Sequence, residues 1–200
     1  MKVIAVTDDR MDNTQLVNTL LTIESVIDAV ILREKSKSIS EVIDLIQQLT
    51  FNGFDDTKII VHSSMETASN MGLKKVQLPG RMPLSAAKTD FPDLSFGKSV
   101  HSLEEAKAEY EAGADWLLYG HLFKTGSKEG LIPRGTIELF QMTASIPIPV
   151  YAIGGIQPHH LSQLNQGGVS GVAVMSSIFG SDNPEVAANA YQEASYVAKR

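Results

Sequence analysis

The sequence contains no cysteine, which excludes disulfides, a thiolate nucleophile and cysteine-ligated zinc. It also lacks a basic excess. Lys and Arg total 17 against 23 Asp and Glu, a net charge of −6, whereas neutralising a phosphate backbone requires clustered positive charge. No basic amphipathic stretch marks a membrane surface, and no apolar run is long enough to span a bilayer. The opening MKVIAVTDDR turns acidic too soon for a signal peptide. No Ser/Pro-rich tract, low-complexity run or charge block divides the chain. These absences predict a cytoplasmic protein with neither nucleic-acid nor membrane partners. They also predict one domain over residues 1–200, a length that supports one substantial core. The oligomeric state stays open, a homodimer included.

What is present is an alternation of short apolar runs with amphipathic segments. Continuous β-rich runs occupy 2–7, 28–33, 58–62, 74–79, 94–100, 115–120, 148–155 and 171–175. Runs this apolar, without alternation, suit strands buried on both faces of a parallel sheet. The clearest helical patterns span 14–23, 40–49, 102–113 and 184–200. Ser102 with Glu105 reads as a capping box, and Gly113 as the stop of that helix. An open doubly wound sheet would use the same elements. Eight strands at about 25 residues per cycle, with no break in composition, favour an α/β fold of the (β/α)8 TIM-barrel class, in which chemistry gathers beyond the strand C-termini.

Residues suited to chemistry follow those strand ends. After the seventh and eighth runs come AIGGI (152–156) and AVMSSIF (173–179). Gly154 and Gly155 permit close backbone approach to a ligand. Met175 and Ser176 open a short helix whose free amides and positive dipole end attract a phosphate monoester. ILREKSKS (31–38) sets Arg33, Lys35 and Lys37 beside the same mouth. His62, His101 and His121 each follow a strand and converge in a barrel. His159 and His160 read as exposed first-turn residues after Pro158. Three histidines suggest a metal, but ligating histidines usually have an orienting carboxylate, and the only candidates after a strand are Asp8 and Asp9. No metal and no cofactor is expected.

Taken together, these segments resemble the thiamin phosphate synthase superfamily over nearly the whole chain. Ser99 and His101 match its fifth-strand motif. Thr125, Ser127 and Lys128 match the sixth, and Gly154, Gly155 and Ser176 match the phosphate grip. Arg33, Glu34 and Lys35 match the second, with Ile31 in place of its Gln. The resemblance implies that the last three motifs hold a thiazole phosphate. It also implies, for synthases, magnesium held by two aspartates. Here the family's Asn-Asp is His62-Ser63 and its fourth-strand Asp is Met82, so both carboxylates are missing.

Where the synthases have Gly-Pro, this chain has Gly120-His121. That change, with KSVHSLEEA (98–106) and GHLF (120–123), resembles the TenI-type branch, which implies a thiazole tautomerase. The implied substrate is a small phosphorylated thiazole, and the implied reaction is a proton shift between two carbons. Such a shift needs one group that accepts and then donates near working pH, and an ordinary imidazole, pKa about 6.5, is suited to it. His121 is the expected shuttle. The backbone around Gly154, Gly155, Met175 and Ser176 would hold the phosphate. Thr125, Ser127 and one of Arg33, Lys35 or Lys128 would orient the ring carboxylate that the implied substrate also carries. A magnesium-dependent synthase, a non-catalytic pathway regulator and a shuttle at His101 remain as alternatives.

Overall fold

The computed structural model describes residues 1–198, and of Ser127 the backbone alone. Its elements run β1 (Lys2–Val6), α1 (Asn13–Ile23), β2 (Ala29–Leu32), α2 (Ile39–Phe51), β3 (Ile59–His62), α3 (Met65–Asn70), β4 (Lys75–Leu78) and α4 (Leu84–Asp90). They continue β5 (Ser95–Val100), α5 (Leu103–Glu111), β6 (Trp116–Gly120), α6 (Ile137–Ser145), β7 (Val150–Ile153), α7 (Leu161–Gln166), β8 (Gly171–Val174), α8 (Ser176–Phe179) and α9 (Pro184–Val197). Each strand pairs in parallel with the next, and β1 pairs with both β2 and β8, for example Ile4 with Ala29 and with Ala173. The sheet is therefore a closed barrel rather than an open one. The expected helix over 184–200 is seen over Pro184–Val197, and positions 199 and 200 lie outside the described residues.

Burial explains the unbroken apolar runs. Ile4, Val6, Ile31, Ile60, Leu118 and Ala173 pack inside the barrel. Their neighbours Val3, Ala5, Val30, Val61, Leu117 and Val172 pack outward against the helices. Period-2 geometry sends alternate residues to opposite faces, and here both faces are dry, so no polar alternation appears.

Local signals set the helix ends. At α2, the Ser38 side chain accepts from Glu41 N (3.3 Å), and Glu41 Oε2 accepts from Ser38 N (2.8 Å), a reciprocal capping box. The box expected at α5 is only half made. Ser102 Oγ accepts from Glu105 N (3.1 Å), but Glu105 Oε2 accepts instead from His101 N (2.7 Å). That diversion ties the residue after β5 to the helix following it. Gly113 ends α5 as expected, with φ of +91°.

Candidate active site

The C-terminal ends of the strands surround a cavity of about 590 Å³. Its wall includes Arg33, Lys35, Ser99, His101, His121, Thr125, Lys128, Gly154, Gly155, Met175 and Ser176, together with His62. The barrel therefore brings these sequence-predicted candidates together. The Ser127 backbone lies in the turn Gly126–Lys128, and its side chain lies outside what is described.

His121 is placed by the strand next door. Beyond the end of β6 the chain continues to pair with β7, as Leu122 N donates to Ile153 O (2.9 Å) and Phe123 N to Gly154 O (2.9 Å). His121 thus faces the cavity directly opposite Gly154. Its Nε2 is buried and, among the described residues, has no hydrogen-bond partner. An unpaired buried polar atom costs about 1–3 kcal/mol, which makes it a natural place for a ligand to supply the missing partner.

His101 is differently held. Its Nδ1 lies 2.7 Å from Gly120 O. A carbonyl only accepts, so Nδ1 carries the proton and Nε2 is left with the lone pair. Gly120 O also accepts from Arg134 Nε (3.1 Å). Behind this layer, buried Tyr119 donates its hydroxyl to Glu138 Oε2 (2.9 Å), and Leu103 N donates to Glu138 Oε1 (2.7 Å). Burial and the Glu138 carboxylate raise the Tyr119 hydroxyl well above its ordinary range, so it stays a donor.

The two glycines after β7 make a close approach within the protein itself. Both have positive φ, +101° at Gly154 and +66° at Gly155. A Cβ at Gly154 would lie 2.5 Å from His121 Cβ, and one at Gly155 would lie 2.7 Å from Phe123 O. Within the protein, the missing side chains make room for the loop that carries His121. The reason for two glycines is therefore close loop packing as well as any approach to a ligand. The same loop is clamped from outside, since His160 stacks on Phe123 with centroids 4.0 Å apart. His160 also accepts from Gln157 N at Nδ1 (3.0 Å), so it is half-buried rather than the exposed residue expected, whereas His159 is exposed.

The basic rim differs from expectation at two positions. Lys37 does not face the cavity. It forms an ion pair with buried Glu34 and donates to Met11 O (2.8 Å). Arg81, in the loop after β4, lines the cavity in its stead. That loop is held by Lys98, which is fully buried on the outer face of β5. Lys98 Nζ donates to Pro79 O (3.2 Å), Gly80 O (3.1 Å) and Met82 O, and pairs with Glu109 (3.4 Å). Desolvation, then Arg33, Arg81 and Lys128, lower the Lys35 pKa, so these cations form one cluster.

The donor set does not fit a magnesium ion of the kind synthases use. Such an ion takes hard oxygen ligands, chiefly carboxylates, and among the described residues the only carboxylate on the cavity wall is Glu105, engaged by His101 N. Asp8 faces Arg10 (3.7 Å), and Asp9 accepts from Ser36 N (2.9 Å) and Ser36 Oγ (2.7 Å). Among the described residues, no group of three or more His, Asp or Glu is placed to hold a metal.

The cationic rim has a measurable consequence at His62. Burial first, then Arg33, Lys35 and Arg81, push its imidazole down to about 4. The unfolded chain takes up that proton from about pH 6.5 downward, while the folded chain resists it. Stability is thus intact above pH 6.5 and falls as pH drops towards 4. Between pH 7 and 5, wild-type protein should lose on the order of 2 kcal/mol more than His62→Gln in urea unfolding. Equal losses in the two proteins would remove His62 as the cause.

The profile of a family described as thiamine monophosphate synthase matches residues 3–178. A thiamine-phosphate synthase of Pyrococcus furiosus is 32% identical over 187 residues, covering 92% of this chain and 89% of that protein. One from Haloarcula marismortui is 32% identical over 179 residues, covering 86% and 85%. The solved structure of a thiamine phosphate pyrophosphorylase from Pyrococcus furiosus superposes with a TM-score of 0.83 at 27% identity, covering 98% of this chain and 96% of that one. A 3-hexulose-6-phosphate synthase structure, at 15% identity and a TM-score of 0.73, shares the fold. Among the described residues, no helix is long and apolar enough to cross a membrane.

Proposed function

The chain belongs to the thiamine monophosphate synthase family, and from that premise we propose that it is a thiazole tautomerase of thiamin biosynthesis. In this reading it isomerises 2-(2-carboxy-4-methylthiazol-5(2H)-ylidene)ethyl phosphate to the aromatic carboxythiazole phosphate. The observation that carries the reading is the buried, unpartnered Nε2 of His121 at the wall of a cavity whose rim is cationic. A departing pyrophosphate calls for a metal-bearing carboxylate pair, and an internal proton shift does not.

The mechanism uses the chain's own groups. The phosphate sits on the backbone amides around Gly154, Gly155, Met175 and Ser176, where α8 begins. Arg33, Lys35 or Lys128, with Arg81 now added, pairs with the ring carboxylate, and Thr125 and Ser127 assist. His121 takes the proton from ring C2, and the released electron pair forms the C2–N double bond. The pair of the ring N3–C4 double bond moves to C4–C5, and the pair of the exocyclic C5–C double bond takes the proton from His121, leaving a CH2 on an aromatic ring. No atom is gained or lost. Aromaticity makes the product the more stable isomer, so the protein has only a barrier to lower.

A second reading, a transferase, is favoured by the names of the Pyrococcus furiosus and Haloarcula marismortui relatives, both thiamine-phosphate synthases. One assay separates the two. Purified protein with the ylidene phosphate should show the rise in ultraviolet absorbance of an aromatic ring, undiminished by excess EDTA. Turnover that EDTA abolishes and magnesium restores, or pyrophosphate release from the pyrimidine diphosphate in place of ring aromatisation, would establish the transferase and overturn the tautomerase.

A further inference from the structure

At the floor of the cavity, which Gln77 lines, three residues stand in one row across three strands. Gln77 of β4 pairs with Gly97 of β5, and Gly97 pairs with Trp116 of β6. A Cβ at Gly97 would collide with both the indole ring of Trp116 and the amide oxygen of Gln77. Because that side chain is missing, the indole reaches over β5, and Trp116 Nε1 donates to Gln77 Oε1 (2.9 Å). Gln77 is itself fully buried, and its Nε2 lies 3.1 Å from Ser99 Oγ. Ser99 stands one layer higher, on the cavity wall.

The polarity of this chain follows from chemistry alone. An indole nitrogen only donates, so the amide group must present its oxygen to Trp116. That choice turns the amide NH₂ towards Ser99, and an NH₂ only donates. Its second hydrogen points towards Leu78 O (3.4 Å). Ser99 Oγ must therefore accept, which leaves its own hydrogen for the cavity. We propose that Trp116 and Gln77 are positioning residues that commit Ser99 to donate, so that the cavity floor selects a ligand presenting an unprotonated acceptor there. On the tautomerase reading, on which this rests, that acceptor is the ring nitrogen or a carboxylate oxygen of the thiazole phosphate. A site organised in this way discriminates against analogues carrying a donor at the same point.

Gln77→Glu tests it, because the shape is kept and the polarity is reversed. A carboxylate still accepts from Trp116 but offers Ser99 a second acceptor, so the Ser99 hydroxyl must turn away from the ligand. At neutral pH, kcat/KM for the ylidene phosphate should fall about tenfold, as it should in Ser99→Ala. The double variant should be no worse than either single one. As pH falls, the ratio of Gln77→Glu to wild-type kcat/KM should recover, since a protonated carboxyl donates to Ser99 as the amide did. Burial raises the pKa of such a carboxyl and brings the recovery into reach.

Should Gln77→Glu not fold, Trp116→Phe tests the same chain. It keeps the ring and removes the donor that orients the amide. A loss of about threefold is expected, absent when Ser99 is already Ala. Trp116 is the single tryptophan of the sequence, so its lone indole N–H resonance reports whether the amide bond is made. A Ser99→Ala loss under twofold would overturn the inference while leaving the tautomerase reading in place. So would a variant loss that is constant with pH and adds in full. Wild-type protein inert towards the thiazole phosphate overturns both.

Discussion

Replacing His121 by Ala should lower kcat by about 10²–10⁴-fold, the usual contribution of a positioned acid–base group, with KM changed far less. The separation arises from geometry. The proposed phosphate grip belongs to the loops after β7 and β8, and the cations that line the rim come from the loops after β2, β4 and β6, so binding contacts remain when the imidazole is removed. Stability provides an independent reading. His121 Nε2 is buried without a partner, and deleting it relieves an unsatisfied polar atom even as packing is lost. The variant should therefore unfold within about 1 kcal/mol of wild type, a modest change for a core substitution. An inactive protein of near-normal stability marks a group kept for chemistry rather than for folding. His121→Asn, which keeps a polar side chain with no useful titration, should be as inactive as His121→Ala. His101→Ala should be milder, because His101 is exposed and its Nδ1 proton is donated to Gly120 O. If His121→Ala loses less than about tenfold and His101→Ala loses more, the shuttle is His101.

The parts legible in the sequence were those that follow from local chemistry. Strands buried on both faces must be apolar throughout, so β1 to β8 stood out as unbroken runs. The histidines and hydroxyls after strand ends are legible because a barrel gathers such ends into one place. What stayed hidden depends on partners distant in sequence. Arg81 is one charge in a stretch that reads as an ordinary loop. It reaches the rim because Lys98, in the middle of an apolar strand, holds three carbonyls of that loop. Lys37 has the same local pattern as Arg33 and Lys35, yet Glu34 engages it. The Trp116–Gln77–Ser99 chain needs the register of three strands, which no single segment carries. Gly154 and Gly155 predict close approach to a ligand, and their packing against the His121 loop is not legible. A glycine reveals that a Cβ is not tolerated, and only the fold shows that the excluded atoms belong to His121 and Phe123.

Gly154→Ala should lower kcat by about 10²-fold although the alanine methyl takes no part in the chemistry. At φ of +101° an alanine is already strained. Its methyl would also stand 2.5 Å from His121 Cβ and 2.7 Å from His121 Cα, where carbon atoms prefer about 3.5–4.0 Å. Relief requires His121 to move by about 1 Å, and a displacement of that size from the reacting atoms costs about 10²-fold in rate. Stability should fall as well, by about 1–3 kcal/mol, in the range of other strained backbone positions. A double variant assigns the cause. In His121→Ala the group that Gly154→Ala would displace has lost its function, so adding Gly154→Ala should cost stability but almost no further kcat. If the second substitution instead removes its full 10² in the His121→Ala background, Gly154 acts on the phosphate grip or on the fold, and its link to the proton shuttle is broken. If Gly154→Ala alone keeps its kcat while losing stability, His121 tolerates displacement, and a precise proton transfer from its imidazole no longer accounts for the reaction.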